Sequence, residues 1–188
     1  MIVFKENGNV FMAIRVLDNE FDVKGAIEEA EENIPMFGLS DGKTVIGFDT
    51  MNSTVADAVR YGNIEAPEKL DEKSLFVNLI PQIKEALSDY GYGKTPLSTT
   101  ATVVMRGERA FACLGETTVY ELGEYHSLCA NDQLEFALLD RTRELKGEER
   151  IREIYRMKEE CLGKRQFPIV YMDTKSGRIH IVNDERRG

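Results

Sequence analysis

The side chains able to do covalent chemistry are few. Ser127-Leu128-Cys129-Ala130 sets a thiol at a small-residue turn, just ahead of a helix that Asn131 or Asp132 would cap. A helix N-terminus lowers a thiol's pKa towards reactivity. Burial as a small hydrophobe is the competing reading of Cys129. His126 stands three residues before that thiol, and five after Glu121, so a Cys/His pair is one arrangement to consider. A strand through His126 would turn it and Cys129 to opposite faces. His180 lies far from both, and neither histidine has ligand-spaced partners, so no metal site is expected. Gly91-Tyr92-Gly93-Lys94-Thr95 ends in GKT, but it lacks the first glycine of a phosphate loop and follows a helix rather than a strand. No cofactor is expected.

The elements that must position these groups come in a regular order. Ile2–Phe4 and Val10–Ala13 flank Glu6-Asn7-Gly8-Asn9, which predicts a hairpin whose Asn-Gly supplies positive φ angles. An acidic stretch, Glu28 to Glu32, reads as a loop or short exposed helix. Strands over Ile34–Leu39 and Thr44–Phe48 follow, joined by Ser40-Asp41-Gly42-Lys43. A helix capped at Asn52-Ser53-Thr54 runs to about Tyr61. A longer one, Asp71 to Asp89, carries the stripe Leu75, Leu79, Ile80, Ile83, Leu87, with Pro81 expected to kink or divide it. The second half repeats the rhythm. Strands over Ala101–Met105, Ala110–Leu114 and Thr117–Leu122 precede a helix with an inner face of Leu134, Ala137, Leu138 and Leu145. A further helix bears Ile151, Ile154, Tyr155 and Cys161, and its charged run from Arg141 to Arg156 reads as a solvated face. Phe167–Met172 and Arg178–Val182 form a closing hairpin.

Paired strands separated by paired helices exclude a parallel doubly wound sheet, which needs one helix per crossover. Two antiparallel sheets packed face to face, each covered outside by a helix pair, satisfy the order. Runs as continuously apolar as IVYM and ATVVM suit sheets buried on both faces. The expected fold class is α+β, a four-layer αββα sandwich in a single domain over residues 1–188.

Hydrophobic content of 42% and charged content of 30% are ordinary for a globular domain. A net charge of −9 opposes nucleic acid and anionic membranes as partners. No signal sequence opens the chain, and no apolar run nears the roughly 18 residues of a membrane span. Three widely spaced cysteines without a CxxC predict reduced thiols in the cytoplasm.

The succession of runs resembles the proteasome subunits and HslV-type peptidases of the N-terminal nucleophile hydrolase superfamily. IVFKENGNVFMA is similar to that family's first hairpin, and IPMFGLSDGKTVIGFDTMNSTVADAV to its second hairpin, small-residue loop and helix. YHSLCANDQLEFALLDRTRELKGEERI resembles the strand, turn and helices that follow. The resemblance implies an N-terminal Thr, Ser or Cys whose own α-amine is the base, a lysine that lowers the local pKa and an aspartate that orients it. In this chain the nucleophile's place falls at Met1 and Ile2, the aspartate's near Arg15 and the lysine's near Asn33. Ser127 falls in the small-residue turn beside the groove.

The expectation is therefore a proteasome-like, HslV-like pseudoenzyme, retaining its N-terminus at Met1 or Ile2. It would act through assembly or binding as a homo-oligomer or ring partner, with no nucleic acid and no membrane. The alternatives are an amidohydrolase or peptidase using an internal nucleophile, or an inactive partner subunit of an active protease. Cys129 is one candidate nucleophile; Thr50 and Ser53 are the others, in the loop that resembles the family's substrate-lining segment. Leu97-Ser98-Thr99-Thr100 imitates a mature N-terminus, yet cleavage before Thr99 would leave only about half a domain.

Overall fold

The structure is a computed structural model that describes residues 1–15, 34–49, 53–91, 101–128 and 132–183, without the side chains of Ser53, Thr54 and Asp132. The opening hairpin pairs β1 (Ile2–Glu6) with β2 (Asn9–Arg15), Ile2 opposite Ala13. Its turn takes the positive φ angles expected of Asn-Gly, 50° at Asn7 and 71° at Gly8, which twist the strands the way a sheet requires. β3 (Met36–Gly38) and β4 (Val45–Asp49) follow, then α1 (Ser53–Tyr61).

A helical passage begins at α2 (Glu72–Ser74), where the Asp71 carboxylate accepts from the Ser74 amide. It widens into a π-helical turn over Leu75–Leu79 and continues as α3 (Ile80–Asp89). Pro81 explains the division. A proline inside a helix has no N–H to donate and crowds the carbonyl four residues back. Here the Ile80 amide reaches five residues back, to the Leu75 carbonyl, and Pro81 falls in the first turn of the new helix.

β5 (Ala101–Arg106), β6 (Arg109–Leu114), β7 (Thr118–Glu121) and β8 (Tyr125–Ser127) come next. Helices α4 (Asp132–Arg141) and α5 (Gly147–Leu162) precede the closing hairpin β9 (Ile169–Asp173) and β10 (Ile179–Val182).

Two antiparallel five-stranded sheets result, ordered β10-β9-β2-β1-β8 and β3-β4-β5-β6-β7. Val3, Met12, Val45, Val103, Met105 and Val170 fill the space between them. On the outer face of the second sheet, Val59, Leu79, Ile83 and Leu87 cover Ile46, Phe48, Val104 and Phe111. On the outer face of the first, Leu138, Leu139, Ile151, Ile154 and Tyr155 cover Ile2, Phe4, Ala13 and Tyr171. The four-layer αββα order is that expected.

Three details of the expected helix faces are corrected. Glu135, Leu138 and Leu139 are the buried residues of α4, whereas Ala137 is exposed and Leu145 lies past the helix end. Cys161 is exposed, because the inward stripe of α5 ends before its last turn. Arg150 belongs to no solvated face. It is 5% exposed, its guanidinium stacks 4.5 Å from the Phe4 ring centroid, and its NH2 group donates to the Leu139 carbonyl. The acidic stretch at Glu28–Glu32 lies outside the described residues.

Candidate functional site

Antiparallel pairing sorts the connections between the sandwich's two ends. At one end sit the hairpin turns at Asn7–Gly8, Asp41–Lys43, Gly107 and Thr174–Gly177, and the Thr174 hydroxyl, which donates to the Gly107 carbonyl and contacts Asn9, ties the first, third and fourth of them together. At the other end β1 begins, β2 leaves at Arg15, β4 leaves at Asp49, β5 enters at Ala101 and β8 leaves at Ser127. Register puts Ile2 opposite Ser127, and the Leu128 amide donates to the Met1 carbonyl at 2.9 Å. The start of β1, the end of β4 and the small-residue turn thus meet at one end of the sandwich.

Buried charge gathers there. Glu135, on the inner face of α4, has a fully shielded side chain. It accepts from the Ser127 hydroxyl at 2.5 Å and is ion-paired with Lys158 of α5, whose side chain is 12% exposed. Burial works to raise the Glu135 pKa. The Met1 ammonium, the hydrogen bonds from Lys158 and Ser127 and the charge of Lys158 outweigh it and hold the carboxyl below its ordinary value. Asp49 shares the same two cations, yet burial pushes its carboxyl up, and the neighbouring Glu135 charge adds to the push. Among the described residues, the Met1 ammonium and Lys158 thus stand by Glu135 and Asp49 at this end, and the Ser127 hydroxyl donates to Glu135.

The positions singled out in the sequence separate as follows. The Met1 side chain is 5% exposed in the inter-sheet core, and Ile2 is fully buried between the first sheet and its helices. Arg15 ends β2, opposite Ile169. Ser127 is buried beside Glu135. Thr50, Asn33 and Cys129 lie outside the described residues, as do Thr99 and the side chain of Ser53. His126 is not aimed at this cluster: its Nε2 is 3.1 Å from the Tyr120 hydroxyl, and its ring meets Phe136 edge-on.

Asp49, Glu135 and Lys158 were missed. The signal for the last two was present, because Lys158 extends the stripe Ile151, Ile154, Tyr155 at helical spacing, and Glu135 falls on the Leu138–Leu139 face. A charge at an inward helix position demands a partner.

A second constellation, Asp173, Ser176 and His180, has the residue types of a hydrolytic triad without its geometry. Ser176 Oγ is 3.0 Å and Asp173 Oδ2 is 3.6 Å from the same nitrogen, Nε2 of His180. A relay needs the acid on the opposite ring nitrogen. The Ser176 hydroxyl instead donates to Asp173 at 2.6 Å. Burial tends to raise the Asp173 pKa and is outweighed by hydrogen bonds from Ser176, Asn9 and the Lys175 amide, which hold the carboxyl low. These groups fasten the β9–β10 turn. Among the described residues no cluster of His, Cys, Asp and Glu could hold a metal ion, and no helix is long and apolar enough to cross a membrane.

No protein-family model and no curated protein sequence matches the chain. Solved structures do. BPH from Thiobacillus denitrificans, a bacterial proteasome homologue, superposes with a TM-score of 0.67 at 12% identity, over 92% of this chain and 95% of that one. The same protein in complex with epoxomicin gives 0.66 at 12% identity, over 92% and 96%. Anbu, the ancestral β-subunit from Yersinia bercovieri, gives 0.59 at 10% identity, over 98% and 86%. At such identities the likeness is one of architecture: the chain has the αββα fold of proteasome-type, N-terminal-nucleophile-like proteins.

Proposed function

We propose that this chain is a proteasome-like protein without N-terminal-nucleophile peptidase activity, acting through assembly or binding as a homo-oligomer or ring partner in the cytoplasm. The observation that carries the reading is the start of β1. By the resemblance the nucleophile's place falls at Met1 and Ile2, and both of these apolar side chains are buried. The groups around them favour the same reading. Hydrolysis needs a nucleophile and a free base within hydrogen-bond reach of each other. The Ser127 hydroxyl is buried and committed to Glu135, and Glu135 is ion-paired with Lys158. A carboxylate held below its ordinary pKa is a poor base. Arg15 cannot serve as one either, since a guanidinium offers N–H donors and no acceptor.

Epoxomicin provides the test, since it is bound in one of the structures of the same architecture. The intact protein should keep its mass after incubation with epoxomicin, and peptide amides should not be turned over. A mature mass beginning at Thr99 or at another hydroxyl or thiol residue would overturn the reading. So would an epoxomicin adduct, or amide turnover abolished by Cys129→Ala, which would promote an internal nucleophile instead.

A further inference from the structure

Between α1 and α2 the chain runs through residues 63–70 as neither helix nor strand. Its buried residues fall at every third position, Ile64, Pro67 and Leu70, while Glu65, Glu68 and Lys69 are exposed. Ile64 and Leu70 join the apolar layer over Ile46, Phe48, Val104 and Phe111 of the second sheet. Backbone laid against a sheet has polar groups to satisfy, and here side chains of other elements satisfy them. Gln82 of α3 accepts from the Glu65 amide at 2.8 Å and donates to the Glu65 carbonyl at 3.4 Å. Arg106, at the end of β5, donates to the Pro67 carbonyl at 2.5 Å and to the Glu68 carbonyl at 3.2 Å. Arg109, its cross-strand partner, donates to the Leu70 carbonyl at 2.8 Å. Both arginines are braced in turn, Arg106 by the Thr44 hydroxyl and Arg109 by the two carboxylate oxygens of Glu121.

The ends of the segment are closed locally. Just past α1, Asn63 takes a φ of 51°, the left-handed conformation that commonly ends a helix. At the other end the Asp71 carboxylate caps α2 through the Ser74 amide at 2.7 Å. The two helix ends are thus held by groups that flank the segment. We propose that residues 63–70 form a strap that leaves the second sheet as one unit, ahead of global unfolding, with Arg106 and Arg109 as its pins. The pins are partly solvated, Arg106 with 23% and Arg109 with 46% of the side chain exposed. Water can take over such bonds, so they protect a backbone less than a buried ladder does. Opening lifts Ile64, Pro67 and Leu70 away and uncovers apolar surface beside three carbonyl-binding side chains. The strap is then a gate on that face.

Hydrogen exchange of the full-length native protein, read by mass spectrometry at neutral pH across low urea concentrations, tests this. The strap amides are expected to exchange together, faster than those of β4, β5 and β6, at a rate nearly independent of urea. Arg106→Gln removes two of the bonds and is expected to speed the strap's exchange about tenfold, with α5 and β9 unchanged. Gln82→Ala should speed it less, and it answers the question if Arg106→Gln does not fold. Lys84→Gln breaks the exposed pair with Glu116 on the same helix and should leave the strap's rate as it is. Strap amides that exchange only together with the sheets, with the same urea dependence, overturn the proposal. So does a strap rate indifferent to both Arg106→Gln and Gln82→Ala, or equally sensitive to Lys84→Gln.

Discussion

Lys158→Met keeps the stem that lies along α5 and removes its charge from Glu135. The Glu135 side chain is fully shielded and Lys158 only 12% exposed, so the change strands a carboxylate in the interior. Removing one partner of a buried pair costs about 3–5 kcal/mol. The Ser127 hydroxyl and the Met1 ammonium still serve Glu135, which sets the expected loss near the lower end, about 3 kcal/mol. The contact of Lys158 Nζ with the Tyr155 ring, 5.5 Å from its centroid, adds less than about 1 kcal/mol. For a domain of this size the sum lowers the melting temperature by roughly 6–16 °C.

Thermal and urea unfolding at neutral and mildly acid pH are the assays. In the wild type Glu135 is held below the ordinary 4.5, so its contribution is present above that value and lost as pH falls through the lower folded value. In the variant burial is no longer countered by the lysine, and the folded carboxyl titrates higher. The deficit is therefore largest at neutral pH and shrinks as acid neutralises Glu135. Adding Glu135→Leu should recover most of the loss, because an apolar pair replaces the orphaned charge. An unchanged midpoint in Lys158→Met, or a double variant weaker than the single, refutes the reasoning.

Asp49→Asn should raise the midpoint at neutral pH. A carboxyl whose folded pKa is raised costs stability above that value, so the gain is full there and vanishes below the ordinary 3.8. Gly62→Ala should destabilise more than Gly47→Ala in chemical denaturation. A Cβ at Gly62 meets the Ala58 carbonyl oxygen and the Ala86 Cβ at 2.5 Å, which are backbone and a stub that cannot turn aside. At Gly47 it meets the end of the Met12 side chain at 2.4 Å, which can swing away at a cost of about 1–3 kcal/mol. Equal midpoints for the two variants would count against that account.

The layers of the fold were legible because they rest on local periodicity. Turn chemistry at Asn7–Gly8, continuous apolar strands and the stripe from Leu75 to Leu87 each have one simple reading, and their order leaves few packings. The faces of α4 were harder. With Leu134, Glu135, Phe136, Ala137, Leu138 and Leu139 in a row, two stripes about a hundred degrees apart compete, and choosing the one through Leu134, Ala137 and Leu138 turns Glu135 outwards. The structure takes the other because Ser127 and Lys158 satisfy the carboxylate, a compensation that comes from two other elements. Arg150 misled for the same reason, since its surroundings are Phe4 of β1 and the Leu139 carbonyl of α4.

That asymmetry bears on how the end of the sandwich near Met1 should be read. Reading by resemblance compares strand positions, and at Arg15 and Asn33 it finds neither the expected acid nor the expected cation. The structure nonetheless gathers cation and acid beside Met1, delivered by the helix layer as Lys158 and Glu135 and by the β4 terminus as Asp49. A catalytic centre and a structural lock can hold the same charges; they differ in whether any charge is left for a substrate. Here the lysine and the Ser127 hydroxyl converge on Glu135, and burial holds the pKa of the second carboxylate, Asp49, above its ordinary value. Among the described residues the cluster closes on itself, beside the buried side chains of Met1 and Ile2. If it is a lock, Lys158→Met should change stability and its pH dependence while leaving epoxomicin labelling and peptide turnover at zero. A Lys158 variant that altered a measurable turnover would return the cluster to catalysis.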